Sequence, residues 1–168
     1  MRTLRNVIII LVAVFIAIQF VPAEQSNPPV TGEIEMADSV HAVIKRSCYD
    51  CHSNETEWPW YASVAPPSWL VTADVLEGRE HLNFSEWQSY DVRKQAAMKE
   101  EIWEEVDKGK MPLDIYVGMH SEAELSETDK QIISQWSHTP LVVPPSDTAD
   151  TSRLLDPQEH ERENDDSR

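Results

Sequence analysis

Cys48 and Cys51, with His52 directly behind the second, constrain this chain more than any other feature of it. They lie in "RSCYDCHSNETEWPWYASVAPPSWL", residues 46–70, and they are its only two cysteines. Two closely spaced thiols and an adjacent imidazole suit three chemistries. A redox dithiol normally sits where a strand meets a helix in a sheet-containing fold. Here a helical pattern runs into the pair, and no strand-like alternation extends beyond a few residues. A closed zinc site takes four ligands. His41, His81, His120 and His138 are available to complete it, none with a paired spacing. The third chemistry is covalent haem, whose attachment pattern is C-x-x-C-H. Cysteines at that spacing share one side of a helical turn and reach the two vinyl groups, and the neighbouring histidine turns to the iron. This reading accounts best for the order of the three residues.

A haem held by His52 on one face calls for a ligand on the other. "KGKMPLDIY" sets Met111 before Pro112, downstream of the attachment site and between two helical stretches. A loop methionine there is the partner that a His/Met haem needs. Methionine is also a common core filler, and His120, Met119, Met98 and Met36 are rivals for the position. Trp58, Trp60, Tyr61 and Trp69 follow the motif closely and are expected against the porphyrin or in ordinary packing. Arg79 is a candidate for a propionate, and a backbone carbonyl near Pro66 and Pro67 for the His52 N–H. Glu100, Glu101, Glu104 and Glu105 read as a solvated helix face.

The rest of the chain organises around this centre. Residues 1–24 contain a run, Val7 to Ala23, in which only Gln19 is polar, behind Arg2 and Arg5. This predicts an uncleaved membrane anchor, with the following domain on the far side of the membrane. Residues 25–34, with Pro28, Pro29 and Gly32, read as a linker. Residues 35–140 form the expected haem domain. Met36, Val40, Val43 and Ile44 share one helical face leading into the cysteines. A second helix is expected from Pro67 to Leu76, with Trp69, Leu70, Ala73 and Leu76 inward and Gly78 as its stop. A third is expected from Ser85 to near Gly109, with a weak face at 91–97. The last begins at Ser126, with Asp129 completing a capping box, and stops at Pro140. Residues 141–168 are acidic, lack aromatics and are expected to be disordered. The 30 acidic against 14 basic residues disfavour nucleic acid as a partner.

Four blocks carry a family resemblance: "RSCYDCHSNETEWPWYASVAPPSWL", "GREHLNFSEW", "GKMPLDIY" and "LSETDKQIISQW", in that order. The chain resembles the bacterial haem-binding domain proteins, membrane-anchored relatives of mono-haem cytochromes c. The resemblance implies an all-α, cytochrome c-like domain around one covalent haem c, with an N-terminal transmembrane helix. It implies Cys48 and Cys51 as thioether sites, His52 as proximal ligand and Met111 as distal ligand. The expected function is a mono-haem cytochrome tethered in the cytoplasmic membrane. Its haem domain would lie on the periplasmic or extracytoplasmic side and pass single electrons to a redox partner with a basic docking patch. The alternative is a haem sensor, or a protein reactive with small ligands or peroxide, with a displaceable sixth ligand. No catalytic constellation appears, so catalysis is not assigned.

Overall fold

The computed structural model describes residues 1–141, and the expected acidic tail lies almost wholly outside them. Seven α-helices and three short 3-10 turns make up the described residues, with no strand among them. The domain is all-α, as its patterning predicts.

Helix α1 spans Arg2–Ile18 and buries no residue. It corrects the expectation of a transmembrane helix. Seventeen residues rise about 26 Å at 1.5 Å each, short of a hydrocarbon core of roughly 30 Å. Among the described residues no helix is long and apolar enough to cross a membrane. The apolar run is longer than the helix because Gln19 ends it. Its amide donates to the Phe15 and Ala65 carbonyls at 3.0 and 3.1 Å, and its oxygen accepts from the Ala65 N–H at 2.9 Å. Phe20 to Ala23 therefore leave the helical path, with Pro22 three residues on.

The segment expected as a linker runs along the domain. The Thr31 and Gly32 amides donate to the Ser85 carbonyl, and the Ile34 amide to that of Phe84. Arg79 staples the same segment. Its guanidinium reaches the carbonyls of Ser26 and Ser53, both at 2.7 Å, and the side chains of Asn27 and Thr56.

Helix α2, Asp38–Ser47, buries Val40, Val43 and Ile44 of the face that its sequence predicts, and Ser47 besides, while Met36 precedes the helix and packs against the core half-buried. Its end is the start of the cysteine motif: Cys48 caps both α2 and the single turn α3, Tyr49–His52. Tyr49 and Phe84 stack at 5.3 Å in the larger core cluster, with Ile34, Val40, Ile44, Trp87 and Met98. Helix α4, Pro67–His81, packs on α3. Helix α5, Val92–Asp107, is capped by Asp91, whose carboxylate accepts the Lys94 amide at 2.8 Å. A separate 3-10 turn at Phe84–Ser89 precedes it, so the third expected helix breaks at Tyr90 and Asp91, at the edge of its weak face, and residues 92–97 are helical. Helix α6, Asp114–Met119, is short, and α7, Glu127–Ser137, carries the expected capping box. Helices α2, α5 and α7 meet at Val43, Val106 and Ile133.

Candidate functional site

Helices α3, α4 and α5 and the segment from Met111 to Tyr116 border an open cavity of about 410 Å³. That size lies within the range of about 300–1,000 Å³ usual for cofactor sites. Cys48, Cys51, His52 and Met111 all line it. Its apolar wall comes from Leu82, Phe84, Met98, Ile102, Val106 and Leu113.

Close approach of two backbones orients the histidine. Gly78 lies within α4 rather than beyond it. A Cβ there would stand 2.6 Å from the Cys51 carbonyl oxygen, closer than side-chain carbons come. The bare backbone lets α4 press on α3, which brings the Gly78 carbonyl 2.8 Å and the Leu82 carbonyl 3.2 Å from His52 Nδ1. Carbonyls only accept, so Nδ1 carries the proton and Nε2 keeps its lone pair. Burial holds the imidazole below its usual pKa, against the raising effect of the two carbonyls. The acceptor of this N–H is thus the C-terminal turn of α4, not the loop at Pro66 and Pro67.

Burial, with help from Cys51, pushes the Cys48 thiol up to about 12. Burial, with Asp50 and Asp74, raises Cys51 to about 11. Redox dithiols have lowered thiol pKa values, so this environment is unlike theirs. Zinc finds no set of ligands either: among the described residues no three His, Cys, Asp or Glu side chains converge as a metal site.

The other candidates divide. Met111 sits at the lip of the cavity, 36 % exposed, and Met98 is buried in its wall. His120 does not line it. One ring nitrogen of His120 pairs with the Tyr61 hydroxyl at 2.8 Å and the other with Glu122. Met119 is exposed and Met36 packs against the core. Trp58, Trp60, Tyr61 and Trp69 also lie off the cavity, and Trp60 is exposed. Arg79 is engaged in the staple described above and is absent from the lining. Of the four glutamates on α5, Glu101 and Glu105 face the cavity, joined by Asp50, Asp74 and Glu77.

A family model for the haem-binding domain matches residues 13–139. The chain belongs to the haem-binding domain family. No curated protein and no solved structure matches it significantly. Among the described residues of this haem-binding domain, no helix is long and apolar enough to be the transmembrane anchor expected for it. Its single-pass membrane placement, its position on the exported side and the tethered electron carrier are corrected by the 17-residue α1. The expected redox partner with a basic docking patch, read from the chain's acidic charge and the carrier role, falls with the tethered carrier.

The residues fit a haem. The wall is apolar, His52 offers a lone pair from a fixed tautomer, and two cysteines flank it. Ser47 also lines the cavity, and its buried hydroxyl has no hydrogen-bond partner within the protein. A polar edge of a bound group would satisfy that hydroxyl. No lysine or arginine lines the cavity, so propionates would leave through its open side.

Proposed function

We propose that this haem-binding domain holds one haem c covalently and uses it to engage a small molecule such as a gas or a peroxide. Cys48 and Cys51 would supply the thioethers, His52 the proximal ligand, and Met111 a displaceable sixth ligand. Bound haem supplies an iron that takes a small ligand and changes oxidation state. The observation that carries the reading is the fixed tautomer of His52 beside both cysteines on one cavity. The Gly78 and Leu82 carbonyls hold the ring by Nδ1 and leave Nε2 as its lone-pair nitrogen, and His52 lines the cavity. Displaceability is supported by Met111 itself, which lies at a half-exposed lip and not in packed core. Leu82, Phe84, Met98, Ile102 and Val106 give the cavity an apolar wall that suits an uncharged ligand.

The test is the visible spectrum of protein matured by a haem-ligating system, recorded before and after carbon monoxide. Haem that resists acid acetone extraction, and reduced bands that move with carbon monoxide, are expected. Haem lost to acid acetone defeats the covalent assignment. Low-spin bands that carbon monoxide leaves in place defeat the displaceable ligand.

A further inference from the structure

The segment that carries Met111 is fastened in an unusual way. Helix α6 buries no residue. Ile115 and Met119 are 62 % and 59 % exposed. Apolar burial therefore does little to hold this helix down. Polar contacts through two residues do it instead. The Tyr116 hydroxyl donates to Asp50 Oδ2 at 2.8 Å, and Asp50 lies between the two cysteines of the motif. The Tyr116 ring stacks on His120 at 4.6 Å, and His120 is paired with the Tyr61 hydroxyl. Met111 is coupled to this fastening. The Tyr116 and Val117 amides both donate to the Leu113 carbonyl, so residues 113–117 form one stiff turn next to Pro112. At the other end Gly109 has φ 65°, a left-handed bend that glycine adopts without strain.

We infer that Tyr116 is the positioning residue for ligand access: its hydroxyl bond to Asp50 latches the Met111 segment over the cavity. The inference rests on the proposed role of Met111. A segment with little buried apolar surface opens locally at low cost. Breaking the latch bond frees the turn from the motif, and the Met111 side chain then swings about a backbone still tied to α5 by its amide hydrogen bond to the Glu105 carbonyl at 3.2 Å. The equilibrium between closed and open segments then sets how readily an outside molecule replaces the methionine sulfur.

The experiment is carbon monoxide binding to the reduced holoprotein, in wild type and in Tyr116→Phe, Asp50→Asn, the pair combined, and Met111→Ala. Tyr116→Phe keeps the ring and its stacking and removes only the donor. It is expected to raise the rate and affinity by about tenfold, the low end for a lost hydrogen bond to a charged acceptor. Asp50→Asn, which keeps an oxygen but no charge, should fall between this variant and wild type. The combined variant should exceed Tyr116→Phe by little, because both changes remove the same bond. Amide exchange over residues 113–120 should quicken in Tyr116→Phe. Unchanged binding in Tyr116→Phe, or fully additive effects, overturns the latch. So does a fall in thermal stability with the same carbon monoxide rate, which would make Tyr116 an ordinary packing residue. Met111→Ala separates the two readings. If it binds carbon monoxide freely while Tyr116→Phe matches wild type, the latch fails and the role of Met111 stands. If wild type and Met111→Ala behave alike, the role of Met111 fails and the latch falls with it.

Discussion

At the scale of single residues, the site turns on Gly78. A glycine inside an exposed helix is a weakness, because alanine favours helix by about 1 kcal/mol. Here the opposing term is larger. An alanine Cβ would meet the backbone of Cys51 at 2.6 Å, and a rigid backbone cannot yield as a side chain end does. Overpacking of this kind costs about 1–3 kcal/mol. Gly78→Ala is therefore expected to lower stability, read from denaturant unfolding, and to weaken the Gly78 carbonyl bond to His52. Loss of that bond frees the Nδ1 proton and lets the ring turn, so less haem should be retained. A stabilised Gly78→Ala protein would show that α4 and α3 are not pressed together as described. His52 itself is legible from its place after Cys51; its acceptor is not, because a carbonyl leaves no trace in sequence.

At the scale of elements, α7 is the best-specified helix, and its cap ties it to the motif. Ser126 accepts the Asp129 amide, while Asp129 accepts from the Ser126 amide and hydroxyl at 2.9 and 2.6 Å. Asp129 also pairs with Arg46 at 3.0 Å, two residues before Cys48. The Ser126 hydroxyl bond, with the Ser126 amide and Arg46, holds the carboxyl below the usual aspartate range. A carboxyl with a lowered folded pKa contributes stability above its unfolded pKa and loses it as pH falls through the folded value. Asp129→Asn is expected to cost about 1 kcal/mol at neutral pH, the usual worth of a cap. The gap to wild type should close in acid, where both side chains are uncharged. Unfolding curves at neutral and acidic pH check both parts, and a gap that persists in acid rejects the electrostatic account. Caps of this kind were the legible part of the fold: Ser126 with Asp129, Pro67 at the first turn of α4, and the break before α5 all follow from local chemistry. The inward face of α4 was not legible. Apolar spacing points to Leu70 and Leu76, yet both are exposed, and Ser68, Thr72, Val75 and Gly78 are buried. Close packing on a backbone selects small side chains, and hydrophobic periodicity does not register them. Helix α6 is not legible for a related reason, since its apolar pair Ile115 and Met119 is exposed and polar contacts of Tyr116 and His120 hold it.

At the scale of the whole molecule, charge sets which ligands the cavity should favour. The chain carries a formal charge of -16. Asp50, Asp74, Glu77, Glu101 and Glu105 line the cavity, and no lysine or arginine does. Lys110 partly offsets Glu105 at 3.2 Å, and Tyr116 donates to Asp50. Burial and the charge of Glu77 raise the Asp74 pKa, a local sign of the same negative field. In water, two unit charges about 10 Å apart interact by about 0.4 kcal/mol, which is about a factor of two in affinity. Several carboxylates acting together should disfavour an anionic ligand by about tenfold, and salt should weaken that most for carboxylates lying a Debye length of about 10 Å or more from the ligand. The prediction is made for Met111→Ala, where the proposed sixth position is open. Azide should bind its oxidised form weakly at low salt and more tightly as salt rises. Neutralising two of these carboxylates by Glu101→Gln and Glu105→Gln should give a gain of the same sign at low salt and flatten the salt dependence. Carbon monoxide, being uncharged, should respond to neither change in its binding to the reduced form. Azide affinity that is independent of salt and of the two glutamates would remove charge from the account of ligand choice. The cavity's selectivity would then rest on its apolar wall and on access past Met111.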